Sequence, residues 1–312
     1  MAGGQSKRGV GWRSINHSED NLFEGLTRHN FKLENGLEIH GVIGGSGPAL
    51  LLLHGYPQSH AIWHKIAPQL AEHFTLVATD LRGYGRSSKP AGLPDHSNYS
   101  KREMAADQVE VMRQLGFEKF NLCGHDRGAR VAHRLAMDFP GSVEKLAVLD
   151  ISPTLRMYEQ TNMAFATVYY HWFFLIQPYP YPENLISNNP IAYLDHKISS
   201  GSAGMGPFTP EALESYRLSF TPEMIHASCE DYRAAASIDL ELDRADRKAG
   251  RKLMMPLLAL WGKNGAIEKC FHPLEDWKEV AEDVRGKALP GGHYLAEELP
   301  EQTLEALLEF FV

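Results

Sequence analysis

The stretch Cys123-Gly124-His125-Asp126-Arg127-Gly128 decides the fold, because it lies between a strand pattern and a helix pattern. Apolar residues lead into it from Phe120, and the apolar spacing after it, through Leu135 and Ala136, predicts a helix. Glycines on either side of a central side chain are typical of a nucleophile elbow, which presents that side chain in a pocket. The central residue is Asp126, so the motif predicts a carboxylate nucleophile; the alternative is that Asp126 only caps the helix.

Further apolar runs on both sides of this motif predict a sheet. An Asn35-Gly36 turn between residues 31–33 and 37–43 predicts a hairpin, and a capping box at Ser100 and Glu103 begins a helix that continues to Leu115. Strands that alternate with helix-length segments favour a mostly parallel, doubly wound α/β sheet. The other predicted strands cover residues 49–53, 74–79, 120–123, 146–149, 256–261 and 284–289.

The long segment between the strands at 146–149 and 256–261 interrupts this alternation. It is rich in aromatic residues and prolines and contains helical patterns, which predicts a helical insertion over the sheet. We therefore expect a core of residues 29–151 and 246–312 and a cap of residues 152–245. Residues 1–28 are rich in glycine, serine, asparagine and charged residues, and are predicted to form an N-terminal tail.

The composition argues against several classes of protein. The chain has 312 residues, of which 43% are hydrophobic, so it can bury a full core, and its net charge of −8 argues against a nucleic-acid partner. It has neither an apolar run of roughly 20 residues nor the apolar start of a secretory signal, so we expect a cytoplasmic protein without a membrane partner. Three widely spaced cysteines, and His60 and His64 without an accompanying glutamate, predict no metal and no cofactor.

Five motifs make the chain resemble the alpha/beta-hydrolases and, within that fold, the fluoroacetate (haloacetate) dehalogenases. The resemblance covers nearly all of residues 30–312. It implies an eight-stranded sheet with a helical cap, a small anionic haloacid as substrate, and a homodimer. The motifs are His54-Gly-Tyr-Pro57, Asp80-Leu-Arg-Gly-Tyr-Gly-Arg-Ser-Ser88, Gly124-His-Asp-Arg-Gly-Ala-Arg130, Tyr170-His-Trp172 and Gly291-Gly-His-Tyr294.

The elbow and the positions after two later strands predict a catalytic triad. A carboxylate at position 126 is ionised near neutrality and can displace a leaving group from saturated carbon, which leaves an aspartyl ester. His293 follows a predicted strand at the place where this fold carries its catalytic histidine, and would activate the water that hydrolyses the ester. No acid directly follows Trp261-Gly262, so Asp150, at the end of the 146–149 strand, is expected to orient His293. Glu268 is the alternative acid.

The same resemblance assigns the contacts to the substrate. The backbone N–H groups of Tyr56 and Arg127 would form the oxyanion hole, and the side chains of Arg127 and Arg130 would hold a carboxylate through charge-assisted hydrogen bonds. Ion pairs of these arginines with acids such as Asp138 are the alternative. The predicted halide donors are His171, Trp172 and Tyr232. Packing of the cap on the core is the alternative for these three rings.

Together these residues predict the hydrolysis of fluoroacetate to glycolate and fluoride, with chloroacetate as a second substrate. The nearest alternative is an epoxide hydrolase, which uses the same nucleophile with cap tyrosines as acids. In that class a tryptophan usually follows the nucleophile, where this chain has Arg127. A third hypothesis is a binding protein of the same fold without turnover.

Overall fold

A computed structural model of the chain describes residues 22–312, and its strands form one sheet. The eight strands lie in the order β1-β2-β4-β3-β5-β6-β7-β8, with β1 and β2 antiparallel to their neighbours and the remainder parallel. The prediction of a mostly parallel, doubly wound sheet is confirmed. The strands are β1 (Thr27–Lys32), β2 (Glu38–Gly44), β3 (Ala49–Leu53), β4 (Thr75–Thr79), β5 (Phe120–His125), β6 (Val143–Leu149), β7 (Leu257–Gly262) and β8 (Val284–Leu289).

The central strands are buried on both faces. Every residue of β3, β5 and β7 is buried, as expected for parallel strands that helices cover on both sides. Each leucine of β3 is 0% exposed, and burial of such a side chain contributes about 1.5–3 kcal/mol to the stability of the folded state. The core of the sheet therefore holds the carboxyl ends of β5 and β6 in fixed positions.

The α-helices lie between and after strands β3 to β8. Half of the predicted capping box is present at the start of α2: the Ser100 hydroxyl accepts a hydrogen bond from the Glu103 N–H, whereas the Ser100 N–H donates to the Ser97 carbonyl and not to the Glu103 side chain. Short 3-10 turns occupy His60–Trp63 and Ser97–Tyr99. The α-helices are α1 (Ala67–Leu70), α2 (Lys101–Gln114), α3 (Arg127–Asp138), α4 (Thr154–Glu159), α5 (Met163–Val168), α6 (Tyr170–Phe174), α7 (Tyr181–Ser187), α8 (Pro190–Gly201), α9 (Pro210–Ser219), α10 (Pro222–Ala235), α11 (Ile238–Lys248), α12 (Ala266–Cys270), α13 (Pro273–Lys278), α14 (Leu295–Glu298) and α15 (Pro300–Phe311).

Helices α4 to α11 all lie between β6 and β7, and we call them the cap helices. Helix α11 crosses position 246, where the sequence-based boundary between cap and core was drawn, so that boundary stays a prediction. Within residues 22–312, every helix is too short or too polar to cross a bilayer.

Residues 22–28, which were predicted to belong to the tail, begin to pack on the core. Residues 1–21 of that tail lie outside the described residues. Leu22 and Phe23 are buried, Phe23 stacks on His60 with ring centroids 5.1 Å apart, and β1 already begins at Thr27. The prediction placed the end of the tail at 28 because two apolar residues among polar ones give little periodic signal.

Candidate active site

A strained turn between β5 and α3 presents Asp126. Its φ of 48° and ψ of −115° are unusual for a residue with a side chain. The flanking glycines permit the close packing of this turn: a Cβ atom on Gly124 would lie 2.6 Å from the Ala129 nitrogen, and one on Gly128 would lie 2.3 Å from the His54 carbonyl oxygen. The side chain of Asp126 lines a cavity of about 610 Å³.

Two groups lie close to the Asp126 carboxylate, one near each oxygen. The Tyr56 N–H donates to Oδ1 at 2.9 Å, and His293 Nε2 lies 3.7 Å from Oδ2. Burial would raise the pKa of Asp126, but the charges of His293, His125, Arg130 and Arg127 lower it to about 2. The carboxylate is therefore ionised at neutral pH without a base.

Asp150 lies directly behind His293. Its Oδ2 is 2.5 Å from His293 Nδ1, and its Oδ1 accepts from the Gly262 N–H at 2.8 Å. Glu268, the alternative acid, is exposed and accepts instead from the Trp261 indole N–H. The three residues predicted as a triad thus follow β5, β6 and β8 and meet at one edge of the sheet.

Arg127 is fully buried and already paired. Its Nε and Nη2 donate to the two carboxylate oxygens of Asp231 at 3.1 and 2.8 Å. This pairing raises the pKa of Arg127 against the effect of burial and holds the pKa of Asp231 well below its usual range. The acid suggested from the sequence, Asp138, pairs instead with Arg102 and Arg134.

Arg130 has no acidic partner among its hydrogen bonds in the described chain. Its Nη1 donates to the Thr154 hydroxyl at 2.9 Å and to the Ser152 carbonyl at 3.3 Å, and its Nη2 lies 3.2 Å from the Met157 sulfur. Burial lowers the pKa of Arg130, and the neighbouring charge of Arg127 lowers it further. A guanidinium held by neutral groups keeps its charge available for an anion.

The rings predicted as halide donors gather beside these arginines. Tyr232 lies within 5.7 Å of His171 and 6.4 Å of Trp172, measured between ring centroids. The guanidinium carbon of Arg127 is 4.0 Å from the Tyr232 ring centre, and that of Arg130 is 4.6 Å from the Trp172 ring centre. The cap helices α6 and α10 therefore bring their rings to the helix that begins with the elbow.

Several buried polar atoms without a hydrogen-bond partner lie on these arginines and rings. Buried polar groups are normally paired, so each exception calls for an explanation. Burial lowers the pKa of His171 well below 6.5 and raises that of Tyr232 well above 10, so the histidine is neutral and the phenol keeps its proton. Among the described side chains, the atoms without a partner include Arg127 Nη1, Arg130 Nε, His171 Nδ1, Trp172 Nε1 and Tyr232 OH.

Comparison with known proteins shows the family to which the chain belongs. A family model described as the alpha/beta hydrolase fold matches residues 48–298. The chain belongs to the alpha/beta hydrolase fold family. It is 47% identical to the fluoroacetate dehalogenase of Burkholderia sp, over 93% of this chain and 95% of that one, and 35% identical to the soluble epoxide hydrolase of Corynebacterium sp. (strain C12), over 91% and 96%. A solved structure of a candidate alpha/beta hydrolase from Nostoc sp PCC 7120 is 54% identical, with a TM-score of 0.90 over 92% of this chain and 98% of that chain.

Sequence reasoning missed three residues of this hydrolase site. His125 donates through Nε2 to the His293 carbonyl at 2.8 Å, and its ring lies 4.6 Å from that of His293 at an angle of 53°. Burial lowers the pKa of His125 to about 3, so it supports the loop as a neutral group. Asp231 pairs with Arg127, and Lys197 lines the cavity. Asp231 directly precedes Tyr232, so its position could have marked it as a residue near the site. Nothing in the sequence marks Lys197 in this way.

Two clusters of this hydrolase have ligand atoms close enough together for a metal ion, within 4.8 Å of one another. Neither cluster includes a residue that lines the cavity around Asp126. In one of them Arg233 already donates to the carboxylates of both Glu183 and Glu230. The clusters are His40, His60 and Asp80, and Glu183, His226 and Glu230. The expectation of a reaction without metal or cofactor stays a prediction.

Proposed function

We propose that the protein hydrolyses haloacetates, with fluoroacetate giving glycolate and fluoride. The observation that carries the proposal is the set of unpaired buried donors on Arg127, Arg130, His171, Trp172 and Tyr232 next to an ionised Asp126. Donors without acceptors form a site for an anion, and both the carboxylate of the substrate and the departing halide are anionic. The similarity to the fluoroacetate dehalogenase of Burkholderia sp supports the same chemistry.

In the first step Asp126 would attack the halogen-bearing carbon from the side opposite the halogen. A new bond forms between a carboxylate oxygen and that carbon, while the carbon–halogen bond breaks and the halide leaves with its electron pair. The indole, phenol and imidazole of the cap would replace the water that a departing fluoride needs. The arginines would hold the carboxylate of the substrate so that its carbon faces Asp126.

In the second step His293 would take a proton from water, and the resulting hydroxide would attack the carbonyl carbon of the aspartyl ester. The hydrogen bond from His293 Nδ1 to Asp150 fixes the tautomer in which Nε2 accepts that proton. The N–H of Tyr56, which already donates to Asp126 Oδ1, would hold the tetrahedral oxyanion together with the N–H of Arg127, the first residue of α3. The bond between the carbonyl carbon and the substrate oxygen then breaks, that oxygen takes the proton back from His293, and glycolate leaves while Asp126 is regenerated.

An epoxide hydrolase is the second candidate, because the Corynebacterium relative carries that name and two cap tyrosines, Tyr169 and Tyr232, lie beside His171. Epoxides are neutral, however, and would leave the guanidinium groups of Arg127 and Arg130 without a partner of opposite charge from the substrate. The charge of the site therefore favours the haloacid.

A fluoride electrode decides between these candidates. We expect the purified protein to release fluoride from fluoroacetate, to turn over chloroacetate as well, and to leave a neutral epoxide unchanged. Diol formation from the epoxide, with no halide released from either haloacetate, would favour the epoxide hydrolase. Binding of haloacetate without any product would favour the binding protein.

We further propose that residues 152–245 act as the cap over this site and that two copies of the chain associate. Exposed apolar side chains, which are typical of interaction surfaces, concentrate on the cap helices and on the loop before α7, and support a self-association surface there. They include Met163, Val168, Tyr179, Tyr181 and Leu185, at 85%, 53%, 67%, 57% and 48% exposure. Sedimentation equilibrium would test this, and a monomer at micromolar concentration would contradict it. The cytoplasmic location stays a prediction.

A further inference from the structure

A buried lysine lines the cavity without an ionic partner in the described chain. Lys197 lies on the cap helix α8 and is 9% exposed. Together with Asp126, His171 and His293 it forms part of the wall of the 610 Å³ cavity. Its ammonium group contacts the face of Tyr169, 5.9 Å from the ring centre, and none of the ion pairs found in residues 22–312 includes it. A buried charge is normally paired, so an ammonium held in this way calls for an acceptor from outside the chain.

The position of this lysine is fixed relative to the catalytic histidine. Gly201, the last residue of α8, accepts a hydrogen bond from the His293 N–H at 2.8 Å. The Tyr294 hydroxyl lies 3.5 Å from the carbonyl oxygen of Lys197. These two contacts connect α8 to the loop that carries His293, so the backbone of Lys197 is fixed in the cavity wall.

The charges of the site are unbalanced when a second anion enters. Asp231 neutralises Arg127 and also pairs with Lys101. The charge of Arg130, which has no acidic hydrogen-bond partner in the described chain, already acts on the ionised Asp126, and an incoming carboxylate brings a further negative charge. Repulsion between the substrate carboxylate and Asp126 would weaken substrate binding unless a further cation lies nearby.

We propose that Lys197 is a substrate-binding residue that supplies this missing positive charge and attracts the haloacetate carboxylate into the cavity. The inference rests on the proposed dehalogenation. It assigns to Lys197 a role in the binding of substrate, separate from the attack by Asp126 and from ester hydrolysis by His293. Loss of the charge should therefore raise KM while kcat changes little.

The surroundings of the amine give this role a pH dependence. Burial lowers the pKa of Lys197 to about 8, although the charge of Asp126 opposes the shift. The ammonium is thus charged below pH 8 and becomes neutral as the pH rises through that value, so KM should increase above pH 8. The titratable groups that face the lysine or its helix are Asp126, Tyr169, His171, His293 and Tyr294.

The test compares three variants by fluoride release from fluoroacetate. We expect Lys197→Met, which keeps the length of the side chain, to raise KM about tenfold or more with kcat within about twofold, and to lose the alkaline rise of KM. Lys197→Arg should restore most of the affinity and move that rise to higher pH, because a guanidinium stays charged. Lys269 is the matched control: it lines the same cavity but is exposed, so Lys269→Met should leave KM unchanged.

The outcomes separate this inference from the proposed function. If the unaltered enzyme releases fluoride and Lys197→Met keeps its KM and its pH profile, the role of Lys197 is overturned while dehalogenation stands. If Lys197→Met and Lys269→Met raise KM equally, general attraction by surface charge replaces the specific role. If the unaltered enzyme releases no halide from any haloacetate, the proposed function fails, and this inference fails with it. Thermal unfolding of each variant shows that it is folded before its kinetics are compared.

Discussion

The substitution Tyr232→Phe should separate activity from stability. Tyr232 is fully buried, and its ring packs against Tyr56, His171 and the guanidinium of Arg127. Phenylalanine keeps that ring and removes only the hydroxyl, which has no hydrogen-bond partner among the described residues. A halide donor that is unpaired in the free enzyme acts only when the leaving group accepts its hydrogen bond, so its loss should affect the reaction and leave the fold intact.

The magnitude follows from the chemistry of one hydrogen bond. A hydrogen bond to a charged group contributes about 1.5–3 kcal/mol, so kcat for fluoroacetate should fall about 10- to 150-fold. Removal of an unpaired buried hydroxyl should leave the free energy of unfolding unchanged within about 0.5 kcal/mol, or should raise it. Chloroacetate should suffer less, because chloride is a better leaving group and is less strongly hydrated.

Tyr99→Phe is the matched control for this experiment. Tyr99 is as fully buried as Tyr232, but its hydroxyl donates to the Pro90 carbonyl at 2.5 Å. Its loss should lower the free energy of unfolding by about 1 kcal/mol and leave kcat unchanged. Urea unfolding and fluoride release measure both quantities. A Tyr232→Phe protein that loses stability as Tyr99→Phe does and keeps its kcat would mean that the Tyr232 hydroxyl has no part in the reaction.

Three further predictions concern the acids and the source of oxygen. Asp150→Asn should lower kcat about 10²- to 10⁴-fold while a first burst of halide remains, and Glu268→Gln should do little; the reverse order in stopped-flow and steady-state assays would transfer the orienting role to Glu268. Asp231→Asn should cost about 3–5 kcal/mol of unfolding free energy. Folding lowers the pKa of Asp231, so its ion pair stabilises the protein fully above the unfolded pKa of about 4, and this stability is lost as the pH falls from there toward the folded pKa. An acid unfolding curve that is the same in Asp231→Asn would contradict this. In a single turnover in heavy-oxygen water the glycolate should carry no label, whereas label in that first product would indicate direct attack by water.

Local patterns of residues were sufficient to predict most of the fold. The spacing of Gly124 and Gly128 around Asp126 predicts the elbow, because the turn requires small residues at those places and leaves little choice of backbone. Continuous apolar runs predict the buried strands, as at Ala49–Leu53, where the predicted and observed bounds agree. Boundaries were less accurate: β6 begins at Val143, where alternating polar residues hide the start of the strand.

Contacts between distant residues could not be predicted in this way. Arg127 and Asp231 are 104 residues apart, and which acid meets a given arginine depends on how the cap lies over the core. The same holds for Lys197, whose burial depends on the packing of α8 against the His293 loop. Asp150 was easier, because the end of a parallel strand already fixes the edge of the sheet at which its side chain emerges.

The nucleophilic role of Asp126 can be tested most directly by trapping its ester. In a His293→Gln variant the ester should form but not hydrolyse, so after incubation with fluoroacetate the intact mass should increase by one carboxymethyl group. Fluoroacetate suits this experiment because, unlike chloroacetate, it does not alkylate thiols at an appreciable rate. We predict that peptide mapping finds the added group on Asp126 and that the double variant with Asp126→Ala gains no mass. An unmodified protein that still releases fluoride, or an adduct on any other residue, would contradict the account.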